Sequence, residues 1–404
     1  MKCGLLGRKL GHSYSPAIHS HFGDYEYRLF EKEPEELEDF LRNGEFIGIN
    51  VTMPYKKAVI PFLDQLTDVA RRVGAVNTIY RQDGKLIGHN TDFYGFEQML
   101  RSSGISPASK KCLVLGSGGA SDVAAKVLQD AGGQVIIISR TGEYNYTNLH
   151  LHADASVLVN ATPVGMYPNT GISPVDLNAF PRLEAALDVI YNPAKTQLLL
   201  DAEKRGLVTG NGLWMLVCQA KEASQTMTGS SISLKKTRDV YHLLRQQMEN
   251  IILIGMPGCG KTTIGRILAE ATGKTFVDTD AEVEALAGKT IPRIFAEDGQ
   301  DAFRALESRV LAHYGKQSGQ VIATGGGCVT KAGNYTALRQ NGTIYWLRRE
   351  ISLLPRDNRP LSQSQDLTRM YAEREPFYRE FAEHIIENDG TPEDAAKKIM
   401  ECLI

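Results

Sequence analysis

The stretch that most constrains the fold is IILIGMPGCGKTTIG, residues 251–265. Gly255 to Thr262 fit the pattern G-x-x-x-x-G-K-[ST]. The apolar run IILI precedes them and the helical sequence TTIGRILAEAT follows. A buried strand, a tight loop and a helix must therefore occur in that order. Glycines let backbone N–H groups curl around phosphate oxygens, and the helix N-terminus adds a favourable dipole. Gly258, Cys259, Gly260, Lys261, Thr262 and Thr263 are the expected contacts to ATP phosphates. Lys261 would reach the β- and γ-phosphates and Thr262 would ligate Mg²⁺. A merely glycine-rich turn does not explain Lys-Thr in register. Cys259 sits inside this loop, a position where oxidation would disturb phosphate binding.

A second glycine turn lies in KCLVLGSGGASDVAA, residues 111–125. Gly116, Ser117, Gly118, Gly119 and Ala120 follow an apolar strand and open a helix, and the strand QVIIIS comes next. Such a strand–turn–helix–strand unit predicts a Rossmann-type dinucleotide site. That second strand ends in Ser139, Arg140 and Thr141. An arginine there favours the 2′-phosphate of NADP, where an acidic residue would favour NAD. An exposed strand-end arginine is the plainer alternative, and Glu143 nearby weakens a basic pocket.

The remaining sequence predicts α/β architecture throughout. EPEELEDFL places Leu37, Phe40 and Leu41 at helical spacing, and Asp83-Gly84 suits a hairpin turn. Residues 111–212 alternate strands and helices, as in a doubly wound sheet. NGLWMLVCQAKEA puts Leu213, Leu216, Val217 and Ala220 on one helix face, which is expected to pack back on the first domain. Residues 235–250 are charged and helical without Gly or Pro, so a boundary falls near their end. The expected domains are 1–98 with 213–245, 99–212, and 250–404.

The formal charge of −2 comes without a long basic run, so neither nucleic acid nor an anionic membrane is an expected partner. No apolar run approaches the roughly 20 residues that span a bilayer. The six cysteines are scattered, which fits a reducing cytoplasm better than a disulfide framework. His12, His19 and His89 border other motifs and read as packing residues rather than metal ligands.

The carboxylates of FVDTDAEVE, Asp278 and Asp280, stand two apart at a strand end. One can serve a Mg²⁺ shell and the other can accept a proton from an attacking hydroxyl. Two solvated turn carboxylates would look the same. FRALE, ATGGGCVT, NRPL and EREPFY follow. Any single arginine among them is more often a surface residue, but a triple glycine after a strand suggests close backbone approach to a ligand. The set, in this order, resembles shikimate kinase over nearly all of 251–404. The resemblance implies that Asp280 contacts the shikimate hydroxyls near the attacking oxygen, with Lys261 beside it in catalysis. It implies that Thr262 and Asp278 hold Mg²⁺, that Arg304 and Arg374 grip the shikimate carboxylate, and that Gly325, Gly326 and Gly327 approach the ring. Arg359 would come from a lid over the phosphates, in a stretch shorter than the family's usual lid.

A nicotinamide cofactor needs an acid–base partner for the carbonyl it reduces. NVTMPYKK and GHNTDFYG offer Thr52, Lys56, Asn90 and Asp92. From the residues alone, a surface lysine and a turn aspartate are the commoner explanation. However, S-x-S-P (Ser13, Ser15), N-V-T-x-P-x-K, G-A-V-N-T-I, G-x-N-T-D, N-A-T-P-V-G-M, D-x-x-Y-N-P and G-N-G-L-x-M-L-x-x-Q-A appear in order. Together they resemble shikimate dehydrogenase over residues 1 to about 245. The resemblance implies a catalytic pair of Lys56 and Asp92, the latter also touching substrate. Ser13, Ser15 and Tyr191 would hold the substrate carboxylate. Thr52, Asn77 and Gln219 would contact ring hydroxyls or the carbonyl. Thr162, Val189 and Gly210 would join the glycine turn on the cofactor. Ser139 stands where the family usually has Asn, and TGEYNYTNLHLHADA is short.

The expected whole is a bifunctional enzyme using NADP(H), ATP and Mg²⁺. It would reduce 3-dehydroshikimate to shikimate and then phosphorylate the 3-hydroxyl, as a cytoplasmic monomer or homodimer. A quinate-using dehydrogenase is the nearest alternative, and the hydroxyls of Ser13 and Ser15 lean toward shikimate. A non-catalytic metabolite sensor would have lost Lys56, Asp92, Lys261, Thr262 or Asp280, all of which are present.

Overall fold

The structure is a computed structural model that describes residues 2–11, 13–354 and 367–403. Arg359 and His12 lie outside the described residues. The chain divides into two compact units. One comprises Met1–Met166, Ile172–Tyr191 and Leu198–Leu243, the other Tyr167–Gly171, Asn192–Gln197 and Leu244–Ile404.

The first unit contains two sheets. In the first, the strand order is Glu26–Glu31, Lys2–Gly7, Gly48–Val51, Thr78–Gln82, Lys85–His89, Gln65–Leu66. Lys2–Gly7 is parallel to both its neighbours, and Thr78–Gln82 with Lys85–His89 forms the predicted hairpin. Its turn carries positive φ at Asp83 (51°) and Gly84 (76°), the twist that a tight hairpin needs. The helix Leu213–Thr228 packs on this sheet, as its apolar face predicts. A Cβ on Gly48 would lie 2.3 Å from Met227, so the absent side chain admits the helix.

The second sheet is wholly parallel, in the order Val208–Gly210, Ala185–Asp188, Val157–Asn160, Lys111–Leu115, Gln134–Ile138. Numbered along the chain this is 2-1-3-4-5 read from the other edge, a doubly wound topology. Its switch point falls at the carboxyl end of Lys111–Leu115. The glycine turn follows that strand. The helices Thr91–Ser102 and Leu213–Thr228 cross closely, because a Cβ on Gly95 would meet the Met215 carbonyl at 2.6 Å.

The second unit has one parallel sheet, ordered Thr275–Asp278, Gln320–Ala323, Asn250–Ile254, Gly342–Arg348, His384–Glu387. Asn250–Ile254 is central and buried on both faces, as a continuous apolar run requires. Each of its fully buried aliphatic side chains contributes roughly 1.5–3 kcal/mol. Among the described residues, no helix is long and apolar enough to cross a membrane.

Candidate active sites

In the first unit, Asn90 is the N-cap of the helix Thr91–Ser102. Its Oδ1 accepts the Phe93 N–H at 3.2 Å, and its Nδ2 donates to the Ala75 carbonyl at 2.9 Å. This places Asp92 in the first turn, buried, with Oδ2 2.6 Å from Lys56 Nζ. Lys56 in turn borders the glycine turn, since a Cβ on Gly119 would lie 3.9 Å from Lys56 Cδ. The predicted catalytic pair therefore stands beside the predicted cofactor loop.

Asn77 is fixed by Thr91. Its Oδ1 accepts the Thr91 N–H at 2.7 Å, and its Nδ2 donates to Thr91 Oγ1 at 3.0 Å. Thr91 Oγ1 also lies 3.4 Å from Gln219 Oε1, so one hydroxyl brings two predicted substrate contacts together. Thr52 leaves the strand Gly48–Val51 with its N–H bonded to the Leu6 carbonyl at 2.9 Å. Ser15 N–H donates to Ser13 Oγ at 3.2 Å. Tyr14, between them, meets the Tyr191 ring edge-on at 5.8 Å, which puts Tyr191 beside the serines. Burial pushes the Tyr191 phenol up, and Tyr14 adds to this. Tyr191 stays neutral and can donate a hydrogen bond.

Sequence reading missed Thr91 as a hub and Tyr27. The Tyr27 hydroxyl donates to Asn50 Oδ1 at 2.8 Å, and Asn50 donates to Thr78 Oγ1 at 3.1 Å. Thr91 sits inside a quoted motif, whereas Tyr27 gives no local signal. Buried His19 stacks on Tyr27 at 4.1 Å, and burial pulls its imidazole down to about 3. It stays neutral, as a packing residue should.

At the cofactor end, Gly116 has φ of 116° and a Cβ there would lie 3.0 Å from the Ala161 carbonyl. Gly118 caps the helix Gly119–Asp130 and has open space where a side chain would stand. An open helix N-terminus lined by glycine fits a pyrophosphate, so the residues fit a dinucleotide. Ser117 and Ala120 flank this turn. Thr162 Oγ1 donates to Asn160 Oδ1 at 2.7 Å, and Val189 N–H donates to the Asn160 carbonyl at 3.0 Å. Asn160 Nδ2 also bonds both oxygens of buried Asp188, at 3.2 and 3.1 Å. This pair ties together the ends of two neighbouring strands and was not recognised from sequence. Gly210 ends the adjoining strand Val208–Gly210. Ser139 is buried while Arg140 and Thr141 are exposed, so Arg140 is free to meet a ligand group from solvent.

In the second unit a cavity of about 790 Å³ runs from the phosphate loop to the triple glycine. Gly258 and Gly260 have φ of 87° and 93°, conformations that a side chain would strain. Lys261 starts the helix Lys261–Thr272, and its buried ammonium donates to the Gly255 and Met256 carbonyls at 2.8 and 3.0 Å. Thr262 Oγ1 donates to Asp278 Oδ2 at 2.8 Å. A hydroxyl and a carboxylate at the cavity wall are hard oxygen donors, and they fit Mg²⁺, which keeps several of its ligands from water and phosphate. Thr263 lines the same wall. Cys259 is fully buried, which removes the solvent access that oxidation would need.

Asp278 caps the helix Thr279–Ala287, accepting the Asp280 N–H at 3.1 Å, so Asp280 sits in a helical first turn rather than on the strand end expected from sequence. Both line the cavity. A Cβ on Gly325 would lie 2.7 Å from Asp280 Oδ1 and 2.6 Å from Glu307 Oε1. A Cβ on Gly327 would lie 2.0 Å from Arg304 Nη2, so only glycine lets that guanidinium lie where it does. Buried Arg304 pairs with buried Glu307 at 2.6 Å. Burial raises the Glu307 carboxyl to about 6, with Arg304 opposing and Asp280 adding to the rise. Arg374 is buried and lines the same cavity, together with Gly326. Arg349, Asn388 and Pro392 also line it and were not recognised from sequence. Asn388 Nδ2 donates to the Cys259 carbonyl at 2.5 Å, bracing the phosphate loop from a strand end 129 positions away.

A family model for the shikimate dehydrogenase substrate binding domain matches residues 5–79, and one for shikimate kinase matches residues 257–404. A shikimate dehydrogenase (NADP(+)) of Clostridium perfringens is 35% identical over 264 residues, covering 60% of this chain and 97% of that protein. The chain belongs to the shikimate dehydrogenase family. Its C-terminal part is a shikimate kinase domain of the P-loop type. Among solved structures, a chorismate mutase/shikimate 5-dehydrogenase fusion protein from Clostridium acetobutylicum is 34% identical with a TM-score of 0.58, covering 61% of this chain and 97% of its own. Shikimate 5-dehydrogenase from Thermus thermophilus, solved with NADP(H) and shikimate, is 32% identical with a TM-score of 0.54, covering 60% and 99%. These likenesses agree with both resemblances drawn from the motifs.

Proposed function

We infer that this chain carries out two consecutive reactions on one cyclic acid. The first unit reduces 3-dehydroshikimate to shikimate with NADPH, and the second phosphorylates shikimate from MgATP to shikimate 3-phosphate. The observation that carries the reading is the pairing of Lys56 with Asp92 beside Gly119, in a chain that also holds the loop Gly255–Thr262 facing buried Arg304 and Arg374.

NADPH, when bound, supplies the hydride. Lys56 then donates a proton to the oxygen on which charge builds, and Asp92 holds the ammonium in place. Ser13, Ser15 and Tyr191 offer neutral hydroxyls to the substrate carboxylate. Asn77, Thr52 and Gln219 face the ring substituents. Ser139, Arg140 and Thr141 address the adenosine end, with Arg140 on the 2′-phosphate.

In the kinase, Mg²⁺ when bound neutralises phosphate charge. Lys261 approaches the β- and γ-phosphates, and Thr262 with Asp278 would hold the metal. Asp280 takes the proton of the attacking hydroxyl. Arg304 and Arg374 hold the acid, a geometry suited to guanidinium. The Arg349 plane and Pro392 offer flat surfaces for the base at the loop end.

The substrates are small molecules. We expect a cytoplasmic protein, monomeric or homodimeric, that binds neither nucleic acid nor membrane. Separation of the activities tests the reading. Lys56→Ala should abolish reduction with kinase turnover intact, and Lys261→Met should do the converse. Loss of both activities in either variant, with the fold intact, would overturn it.

A further inference from the structure

The motif EREPFY ends in Tyr378, to which neither chemistry above gives a role. Its side chain is fully buried. Its ring stacks on Trp346 at 5.6 Å and 24°. Its hydroxyl donates to the Gly326 carbonyl at 2.5 Å and lies 3.8 Å from Met256 Sδ in the phosphate loop. It stands one helical turn after Arg374 on the helix Leu367–Phe381.

The Gly326 carbonyl belongs to the same peptide unit as the Gly327 N–H. In a trans peptide the two point in opposite directions. A carbonyl held by Tyr378 therefore turns the Gly327 N–H away from Tyr378, toward the cavity that Gly327 lines beside Arg304. Among the described residues that N–H has no protein acceptor. Gly327 itself has φ of −105° and ψ of 2°, so its backbone does not fix the peptide by steric strain.

We propose that Tyr378 is a positioning residue of the kinase site: its hydroxyl locks the Gly326–Gly327 peptide so that the Gly327 N–H joins Arg304 and Arg374 in receiving the acid's carboxylate. This rests on the kinase reading given above. The same hydroxyl, through its helix, keeps Arg374 in register with that N–H. Phenylalanine would preserve the stacking and remove only the donor. The peptide would then be free to rotate, and an acceptor oxygen would turn part of the time to where a donor is needed.

The test is steady-state kinetics of the full-length Tyr378→Phe protein, varying shikimate and ATP separately, with thermal unfolding and dehydrogenase turnover measured in parallel. The proposal expects KM for shikimate to rise about tenfold, with KM for ATP and dehydrogenase turnover within about twofold of wild type. Calorimetric titration of shikimate alone should show the same weakening. A lowered Tm with KM for shikimate unchanged would make Tyr378 a packing residue only. An equal rise in both KM values would mean general damage to the site. Either overturns the proposal. Wild-type protein that fails to phosphorylate shikimate would overturn the kinase reading, and the proposal with it.

Discussion

Lys56 Nζ lies 2.6 Å from Asp92 Oδ2, and the two are held by different devices. Lys56 follows the strand Gly48–Val51, with its carbonyl bonded to the Val76 N–H at 2.8 Å. Asp92 is fixed by the Asn90 cap. The pair is thus preorganised by backbone contacts that do not depend on either side chain. Lys56→Met and Asp92→Asn should each lower dehydrogenase kcat by about 10²–10⁴-fold while leaving Tm nearly unchanged, which turnover assays and thermal unfolding would check.

Gly327→Ala isolates close approach from backbone strain, because its φ of −105° is open to alanine. The added methyl would displace the Arg304 guanidinium, 2.0 Å away. Kinase KM for shikimate should rise about 10- to 100-fold, the cost of one charge-assisted contact, with KM for ATP little changed.

Glu307 provides a signed pH test. Its carboxyl is raised from 4.5 to about 6 in the folded state. Its contribution to stability is therefore fully present below pH about 4.5 and is lost as pH rises through 6, with a total of about 2 kcal/mol. Each unit holds one of the two tryptophans, Trp214 and Trp346. A Trp214→Phe background lets Trp346 report the kinase unit alone. Relative to Glu307→Gln, the wild type should lose stability in denaturant melts between pH 5 and pH 7.

Thr262→Val removes one of the two oxygen donors proposed for the metal and leaves Asp278 without its 2.8 Å partner. The Mg²⁺ concentration for half-maximal kinase rate should rise about tenfold or more, while the Mg²⁺-independent dehydrogenase is unaffected.

Arg140→Ala should raise KM for NADPH about 10- to 100-fold and leave KM for NADH unchanged, since only the 2′-phosphate needs the guanidinium. A clear preference of the unaltered protein for NADH would remove the argument for Arg140.

What sequence could show followed locality. The loop Gly255–Thr262 and the glycine turn at Gly116 are consecutive residues whose chemistry and flanks travel together, and both lie where predicted. IILI identified a buried strand because burial on both faces leaves no polar position. Sheet order was not legible, since it depends on pairings such as Ile251 with Val321, seventy positions apart. Asp280 was placed on a strand end because D-x-D has strand spacing. The Asp278 cap turned that segment into a helix. Arg349 and Asn388 reach the cavity only when distant elements pack. A lone arginine or asparagine has no pattern that announces this.

The central claim is that one chain performs both reactions. Its most direct test is to give the purified protein 3-dehydroshikimate, NADPH, ATP and Mg²⁺ and to follow all products by mass spectrometry. The account predicts shikimate 3-phosphate, with NADPH and ATP consumed in equal amounts once shikimate reaches steady state, and shikimate alone when ATP is withheld. NADPH oxidation with no phosphorylated product, or ATP consumption independent of added 3-dehydroshikimate or shikimate, would contradict it.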